Sequence, residues 1–185
     1  PGGELIILGT AGYGPMTIDR SIKIVGPSGV YGGISVQSGG PTTGVVINAG
    51  VADVVTLRGL DIVGVSGPPL IGIDIQNAGV VHIEKTSINN FTQDASACIR
   101  LDTPRKLSVF IVDSFLRECR DGVFVHGSGP DGPTQPFIVI DNTRMELMFN
   151  TENGNVPNSI HLVDNFAATV RNSHLSLVGD GIRGR

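Results

Sequence analysis

The sequence predicts an all-β solenoid of about six coils, each built from three short parallel strands. Three observations carry this prediction. Short apolar runs ended by polar turns recur along the chain, the runs group in triplets, and apolar and polar residues alternate within each run. Strands of a β-sandwich also recur about every 8–12 residues, but a sandwich has no reason to repeat in triplets. We therefore expect one solenoid domain spanning residues 1–185.

The three runs of each coil can be read in chain order. They lie at 4–8, 16–19 and 22–26 in the first coil; 33–37, 54–57 and 60–64 in the second; 72–76, 80–84 and 87–91 in the third; 98–102, 107–111 and 115–119 in the fourth; 122–126, 137–141 and 144–148 in the fifth; and 159–163, 168–172 and 174–178 in the sixth. A seventh coil opens at 181–185. An extra run, VVIN at 45–48, is expected to be an added strand or a lengthened bend.

Two columns of inward residues support the triplets. The first column is Ile34, Ile73, Ile99, Val123, Ile160 and Ile182, and the second is Ile18, Leu57, Ile83, Ile111, Ile140 and Val170. The first two steps are 39 and 26 residues in both columns, so the columns keep step with each other. Burial of each such side chain is worth roughly 1.5–3 kcal/mol, and a single coil cannot bury its own. Stability should therefore grow with the stack.

Small polar residues recur at the bend directly after the second column. Examples are Glu84-Lys85-Thr86, Val112-Asp113-Ser114 and Asp141-Asn142-Thr143. Such residues tolerate a tight backbone, and when stacked they can satisfy each other's amides. Turn chemistry is the expected role of these residues, and a cation site is the alternative.

The two cysteines are expected to be buried free thiols. Cys98 begins a strand, whereas Cys119 lies three residues before Gly122, the counterpart of Cys98 in the next coil. This offset places the two Cα atoms on the order of 10 Å apart, beyond the reach of a disulfide.

Composition excludes several classes of partner. The net charge is -4, only 16% of residues are charged, and no basic stripe is present, so nucleic acid is not expected to bind. No apolar run reaches the length of a membrane span, and no membrane partner is expected. The four histidines lack the paired spacing of a zinc motif, so the sequence predicts no metal centre.

The phrases GISVQSG (33–39), VINAGVADVVTLRGLDIVG (46–64) and GIDIQNAGVVHIEKTSI (72–88) resemble the repeats of right-handed parallel β-helix proteins, the pectin-lyase-like superfamily. They are most similar to bacterial β-helix repeat proteins without an assigned activity. The resemblance implies a right-handed β-helix and favours an extracellular or cell-surface location. It does not imply one chemistry, because the superfamily includes polysaccharide lyases, glycoside hydrolases, adhesins and structural solenoids.

The enzymatic signatures of that superfamily do not carry over. Polygalacturonases would supply an Asn-Thr-Asp motif, an Asp pair and Gly-His-Gly, and Val125-His126-Gly127 resembles only the last. Asp74, Arg100 and Asp102 resemble the calcium-binding acids and catalytic Arg of pectate lyases in kind, without the flanking residues. If the chain is an enzyme, the resemblance implies a polysaccharide lyase, with calcium as a cofactor, or a glycoside hydrolase; otherwise no cofactor is expected.

The outward face of the first strand column is the predicted site. Its candidate catalytic residues are Asp74, Arg100, Asp102 and His126, and its candidate substrate-binding residues are Gln76, Asp121, Phe124 and His161. Asp74 and Asp102 are expected to face each other about 4.8 Å apart, near the roughly 5–9.5 Å that glycoside hydrolysis requires. The alternative is a surface ion pair of Arg100 with an acid. Arg120 and Asp121 are expected beside His126.

The leading functional hypothesis is a carbohydrate-associated module that binds or processes a polysaccharide on this face, and the alternative is a non-catalytic structural or adhesive solenoid of a surface or phage-type assembly. Insertions at 127–136 and 149–158 flank the His126 strand, where a solenoid commonly forms its binding face; the alternative is neutral drift in tolerant surface turns. Neither end shows a capping helix, which predicts a lost cap or an end-to-end or lateral homo-oligomer.

Overall fold

The described strands form three parallel sheets of seven strands each. The structure, a computed structural model, describes residues 2–37, 39–65, 67, 70–127, 135–146, 157–164, 166–176 and 180–184. Each coil contributes one strand to every sheet, and every strand pairs in parallel with the equivalent strands of neighbouring coils. The described residues contain strands and turns and no helix. The predicted right-handed parallel β-helix with three strands per coil is confirmed.

The strand bounds define the three sheets, which we call A, B and C. Sheet A contains β1 (Gly3–Ile6), β4 (Ile22–Val25), β7 (Val54–Arg58), β10 (Val80–Glu84), β13 (Ser108–Val112), β16 (Phe137–Asp141) and β19 (Ala167–Arg171). Sheet B contains β2 (Ala11–Tyr13), β5 (Gly32–Gln37), β8 (Leu60–Val65), β11 (Ser87–Phe91), β14 (Phe115–Cys119), β17 (Arg144–Glu146) and β20 (His174–Ser176). Sheet C contains β3 (Met16–Ile18), β6 (Thr43–Asn48), β9 (Ile71–Asn77), β12 (Ala97–Asp102), β15 (Asp121–His126), β18 (Asn158–Val163) and β21 (Asp180–Gly184).

The core is a set of stacked apolar files, one or two from each sheet. In the middle coils the inward side chains of these files are fully buried, for example Leu57, Ile83 and Ile111 in sheet A. Alternation places every second side chain of a strand inside, and the β-branched residues that dominate these positions suit a pleated, close-packed surface. Burial therefore comes from neighbouring coils, as the sequence predicts.

The first member of each predicted column, Ile34 or Ile18, is misplaced, and the members from Ile73 and Leu57 onward are correct. Ile34 lies in sheet B, in register with Ile62, and the true member of the sheet C file is Val45, which pairs with Ile73. Ile18 lies in sheet C beside Ile47, and Ile24, which is in register with Leu5 and Leu57, is the sheet A residue that precedes Leu57 in the file. The VVIN run is thus the regular sheet C strand of its coil. Long Gly- and Pro-containing turns separate the early strands, so spacing alone does not identify their sheet.

The corner between sheets A and B is a ladder of left-handed residues. Its middle positions have positive φ: Gly59 (φ 68°), Lys85 (φ 48°), Asp113 (φ 52°), Asn142 (φ 46°) and Asn172 (φ 50°). Side chains bond from coil to coil, since Asn142 Nδ2 donates to Asp113 Oδ1 (2.7 Å) and Asn172 Nδ2 donates to Asp141 Oδ1 (3.0 Å). The expected turn chemistry is confirmed.

Cys98 and Cys119 form a disulfide, so the expectation of two free thiols is wrong. Their Cα atoms are 5.7 Å apart and both side chains are fully buried. The expected Cα–Cα distance of about 10 Å assumes that the three residues from Cys119 to Gly122 are extended. In the structure Glu118 has a φ of 54° and the chain turns the corner between β14 and β15, which brings the end of sheet B against the start of sheet C.

The two predicted insertions lie largely outside the described residues. What the structure describes is their attachment: the first follows β15 at Gly127, and the second lies between β17 and β18. No helix among the described residues is long and apolar enough to cross a membrane.

Candidate functional site

The outward face of sheet C carries the residues that the sequence singles out. Parallel pairing places Asp74, Arg100, Phe124 and His161 on successive strands in one transverse file. Asp102 and His126 are in register in a second file two residues further along the strands. Strands in a sheet lie roughly 4.8 Å apart, so neighbours within a file are in contact distance. The predicted outward orientation of these six side chains is correct.

Asp74 and Arg100 form a bidentate ion pair. Arg100 Nε lies 2.8 Å from Asp74 Oδ1, Arg100 Nη2 lies 2.9 Å from Asp74 Oδ2, and Gln76 Nε2 also donates to Oδ2 at 2.8 Å. The Asp74 side chain is only 3% exposed. Its hydrogen bonds to Arg100 raise the pKa of that guanidinium. Because both oxygens of Asp74 are engaged, the pair positions Arg100 and does not leave a carboxylate for acid–base chemistry.

Asp74 and Asp102 do not face each other, which corrects the expected carboxylate pair. Asp74 is in register with Arg100, and Asp102 is in register with His126. The two residues are therefore not the directly opposed carboxylate pair that was expected, and both oxygens of Asp74 are already engaged by Arg100 and Gln76. The predicted alternative, an ion pair between Arg100 and an acid, is the arrangement observed.

His126 lies between two carboxylates. Its Nδ1 is 3.0 Å from Asp102 Oδ1 and its Nε2 is 3.9 Å from Asp164 Oδ2. Asp164 directly follows β18 and has a φ of 52°. The sequence pattern does not single it out, because strand alternation does not mark residues beyond the end of a strand. Arg120 and Asp121, expected beside His126, lie at the other end of β15. Among the described residues, no group of three or more His, Cys, Asp or Glu could hold a metal ion.

Asp121 is the buried centre of a second polar cluster. Arg120 Nη1 lies 2.5 Å from Asp121 Oδ2, Asn158 Nδ2 donates to Asp121 Oδ1 at 2.8 Å, and His161 Nδ1 is 3.5 Å from Asp121 Oδ2. The Asp121 side chain is 6% exposed. The His161 ring meets Phe124 edge to face, with ring centroids 5.2 Å apart. The cluster thus contacts His161 directly and Phe124 through the His161 ring on the face of sheet C.

A cleft of about 450 Å³ opens above this cluster. One wall is the loop between β11 and β12, and the other comes from the outward side chains of β12, β15 and β18. The lining residues are Asp94, Ala95, Ser96, Ala97, Arg100, Asp102, Arg120, Asp121, Phe124 and His161. Five of the eight predicted site residues line the cleft; Asp74, Gln76 and His126 do not.

The loop wall was not predicted. Ala95 has a φ of 61°, and Ser96 Oγ accepts a hydrogen bond from Leu70 N at 2.9 Å. That hydrogen bond connects the loop between β11 and β12 to the turn before β9, and residues 94–96 of the loop line the cleft on sheet C. In sequence the segment reads as an ordinary polar turn, and nothing in its composition distinguishes it from the others.

Comparison with known proteins adds no family to this description. No family model matches the chain, and no curated protein matches it. The fold and site together define a parallel β-solenoid with a polar, aromatic-containing cleft on one sheet face.

Proposed function

We propose that the chain is a carbohydrate-binding β-helix module of the pectin-lyase-like kind, with its binding site in the cleft on sheet C. The observation that carries the proposal is the Phe124 ring, which is partly buried and lines a cleft that also contains carboxylate, guanidinium and imidazole groups. An aromatic face suits the apolar face of a sugar ring, and fixed carboxylate, guanidinium and imidazole groups suit its hydroxyls. The volume of about 450 Å³ lies in the range of small-ligand sites.

The arrangement favours binding over bond cleavage. Asp74 is saturated by Arg100 and Gln76, and Asp121 is saturated by Arg120, Asn158 and His161. Asp102 is the most exposed carboxylate of the predicted catalytic set, at 48%, and it contacts His126. An Asp102–His126 pair could act as an acid and base only if the glycan extended from the cleft along β15.

The second candidate is a structural or adhesive solenoid without a ligand in this cleft. The observation that favours it is the pairing of charges on the sheet face, since Asp74, Asp102 and Asp121 all contact a basic side chain. Charges that are already paired on the sheet face need no ligand, and of the three carboxylates only Asp102, 48% exposed, is open to solvent. The disulfide between Cys98 and Cys119 supports an extracellular or cell-surface location for either candidate.

The test is calorimetric titration of the chain with a panel of oligosaccharides, with and without calcium. Phe124→Ala should weaken binding about ten-fold or more, because it removes the aromatic platform. The matched control is Phe110→Ala, which removes an aromatic from the outer face of sheet A, where Phe110 stacks on His82 at 5.0 Å. Equal affinities for wild type and Phe124→Ala, or equal losses in both variants, would contradict the site.

Catalysis is measured in parallel on the same panel. New reducing ends indicate hydrolysis, and unsaturated products indicate a lyase. Activity that disappears in an Asp102→Ala, His126→Ala double variant would place an enzyme on this face. Binding without products in every case would assign the chain to the binding modules.

A further inference from the structure

The charges around the cleft indicate which class of glycan it accepts. Four carboxylates lie at the cleft or pair directly with its lining: Asp74, Asp94, Asp102 and Asp121. The cleft lining contains two guanidinium groups, those of Arg100 and Arg120. With His126 and His161 counted as neutral, the formal balance at the site is negative, whereas a site that selects an anionic sugar needs an excess of cations.

Both guanidiniums already have a carboxylate partner. Arg100 is held by both oxygens of Asp74, and Arg120 contacts Asp121 Oδ2. The pKa of Arg100 is raised by this pairing, so the guanidinium stays charged while its charge is offset by Asp74. To bind a uronate, either arginine would have to leave a carboxylate that is more than nine-tenths buried, and an uncompensated buried charge is costly.

The sequences of the two predicted insertions contain no positive charge. Residues 127–136 (GSGPDGPTQP) and 149–158 (FNTENGNVPN) each contain one acidic residue and no Lys or Arg. Neither segment can therefore supply a cation to a bound glycan.

We infer that the cleft selects glycans without carboxylate or sulfate groups, an inference that rests on the proposed carbohydrate-binding function. Uncharged hydroxyls can accept from the outer N–H groups of the two arginines and donate to Asp102 without breaking either ion pair. An anionic chain meets a face that is already negative, so its approach is opposed by repulsion that added salt weakens.

The experiment titrates the chain with neutral glucan and galactan oligosaccharides and with polygalacturonate and alginate oligosaccharides of equal length. Each titration is run at about 20 mM and about 150 mM salt, where the screening length differs more than two-fold. The expected result is neutral binding that is insensitive to salt, with acidic chains at least about ten-fold weaker at low salt.

Charge variants separate electrostatics from shape. Asp102→Asn removes one negative charge and retains a side-chain oxygen to contact His126, and Asp102→Lys reverses the charge at a half-exposed position. Both should raise the affinity for polygalacturonate at low salt, the second by about ten-fold. The matched control, Asp19→Lys, makes the same charge change on an exposed side chain of the first coil and should leave both affinities unchanged.

The outcomes distinguish the inference from the proposed function. Acidic chains that bind as tightly as neutral ones, with an effect of Phe124→Ala on both, would overturn the charge selection and leave the saccharide site standing. No binding of any glycan would overturn the proposed function itself. If the wild-type chain binds only neutral glycans and Asp102→Lys does not raise the affinity for acidic chains, the electrostatic account is overturned.

Discussion

The disulfide between Cys98 and Cys119 provides the sharpest test of the fold. It joins the start of β12 to the end of β14 across the corner of sheets B and C, with both cysteines fully buried. The perturbation is reduction with dithiothreitol under native conditions, compared with a Cys98→Ala, Cys119→Ala double variant. Reduction removes the cross-link and keeps nearly the same core volume, whereas the double variant removes the sulfur atoms as well.

The magnitude follows from the length of chain that the cross-link closes. The two cysteines are separated by 21 positions in sequence. Loop-closure entropy for a loop of this size is roughly 11 cal/mol/K, which corresponds to about 3 kcal/mol at 25 °C. For a chain of this size such a loss lowers the thermal midpoint by about 6–12 °C. The alanine variant should lose somewhat more than reduction, because small cavities replace the two sulfurs.

The assay is thermal and denaturant unfolding followed by circular dichroism, with and without reductant, together with thiol counting in the unfolded chain. The double variant is the control, since its midpoint should not respond to reductant. Two free thiols in the unreduced protein, or a wild-type midpoint that is unchanged by reduction of a confirmed disulfide, would refute the reasoning.

Three further predictions concern stability. Gly59→Ala should destabilise the chain by about 2 kcal/mol or more, because Gly59 has a φ of 68° and an added Cβ would lie 2.2 Å from the Gly26 carbonyl oxygen. Asp61→Asn should stabilise the chain at pH 7, by less than about 1 kcal/mol, because burial raises the pKa of Asp61. The contribution of Asp61 is fully present below its unfolded pKa and declines as the pH rises through the folded value, so the gain of the variant should vanish in acid. Ile99→Ala should cost about 2–5 kcal/mol in the buried file of sheet C, whereas Ile182→Ala, at a position that is 54% exposed, should cost less than about 1 kcal/mol.

Denaturant titration measures the free energy of unfolding of each variant, and each of the three predictions can be contradicted by a specific outcome. Lys85→Gly, at the neighbouring rung of the same corner, should be neutral or stabilising, so a loss comparable to that of Gly59→Ala would contradict the steric argument. An Asp61→Asn gain that persists at pH 3 would exclude titration of this carboxyl as its cause. Equal costs for Ile99→Ala and Ile182→Ala would contradict burial by neighbouring coils.

The sequence predicts most of the candidate face but not its cleft. Asp74, Arg100, Phe124 and His161 are correctly placed on one outward face, because alternation along a strand is a local property with a period of two residues. The contact between Asp121 and His161 is not predictable in the same way. It depends on how the chain turns the corner before β15, because that turn places Asp121, the first residue of β15, against the His161 side chain of β18.

By itself, the sequence determines a three-sheet parallel solenoid, its inward files from Leu57 and Ile73 onward, and the polar ladder at one corner. These features follow from period-two alternation and from turn residues that suit left-handed backbone, and both are local properties of a few consecutive residues. Only the tertiary structure decides that Val45 rather than Ile34 continues the sheet C file, that Cys98 meets Cys119, and that the loop at Ala95 walls a cleft. Those outcomes depend on how each corner redirects the chain, and a bend at a few residues such as Glu118 changes distances that no count along the sequence can give.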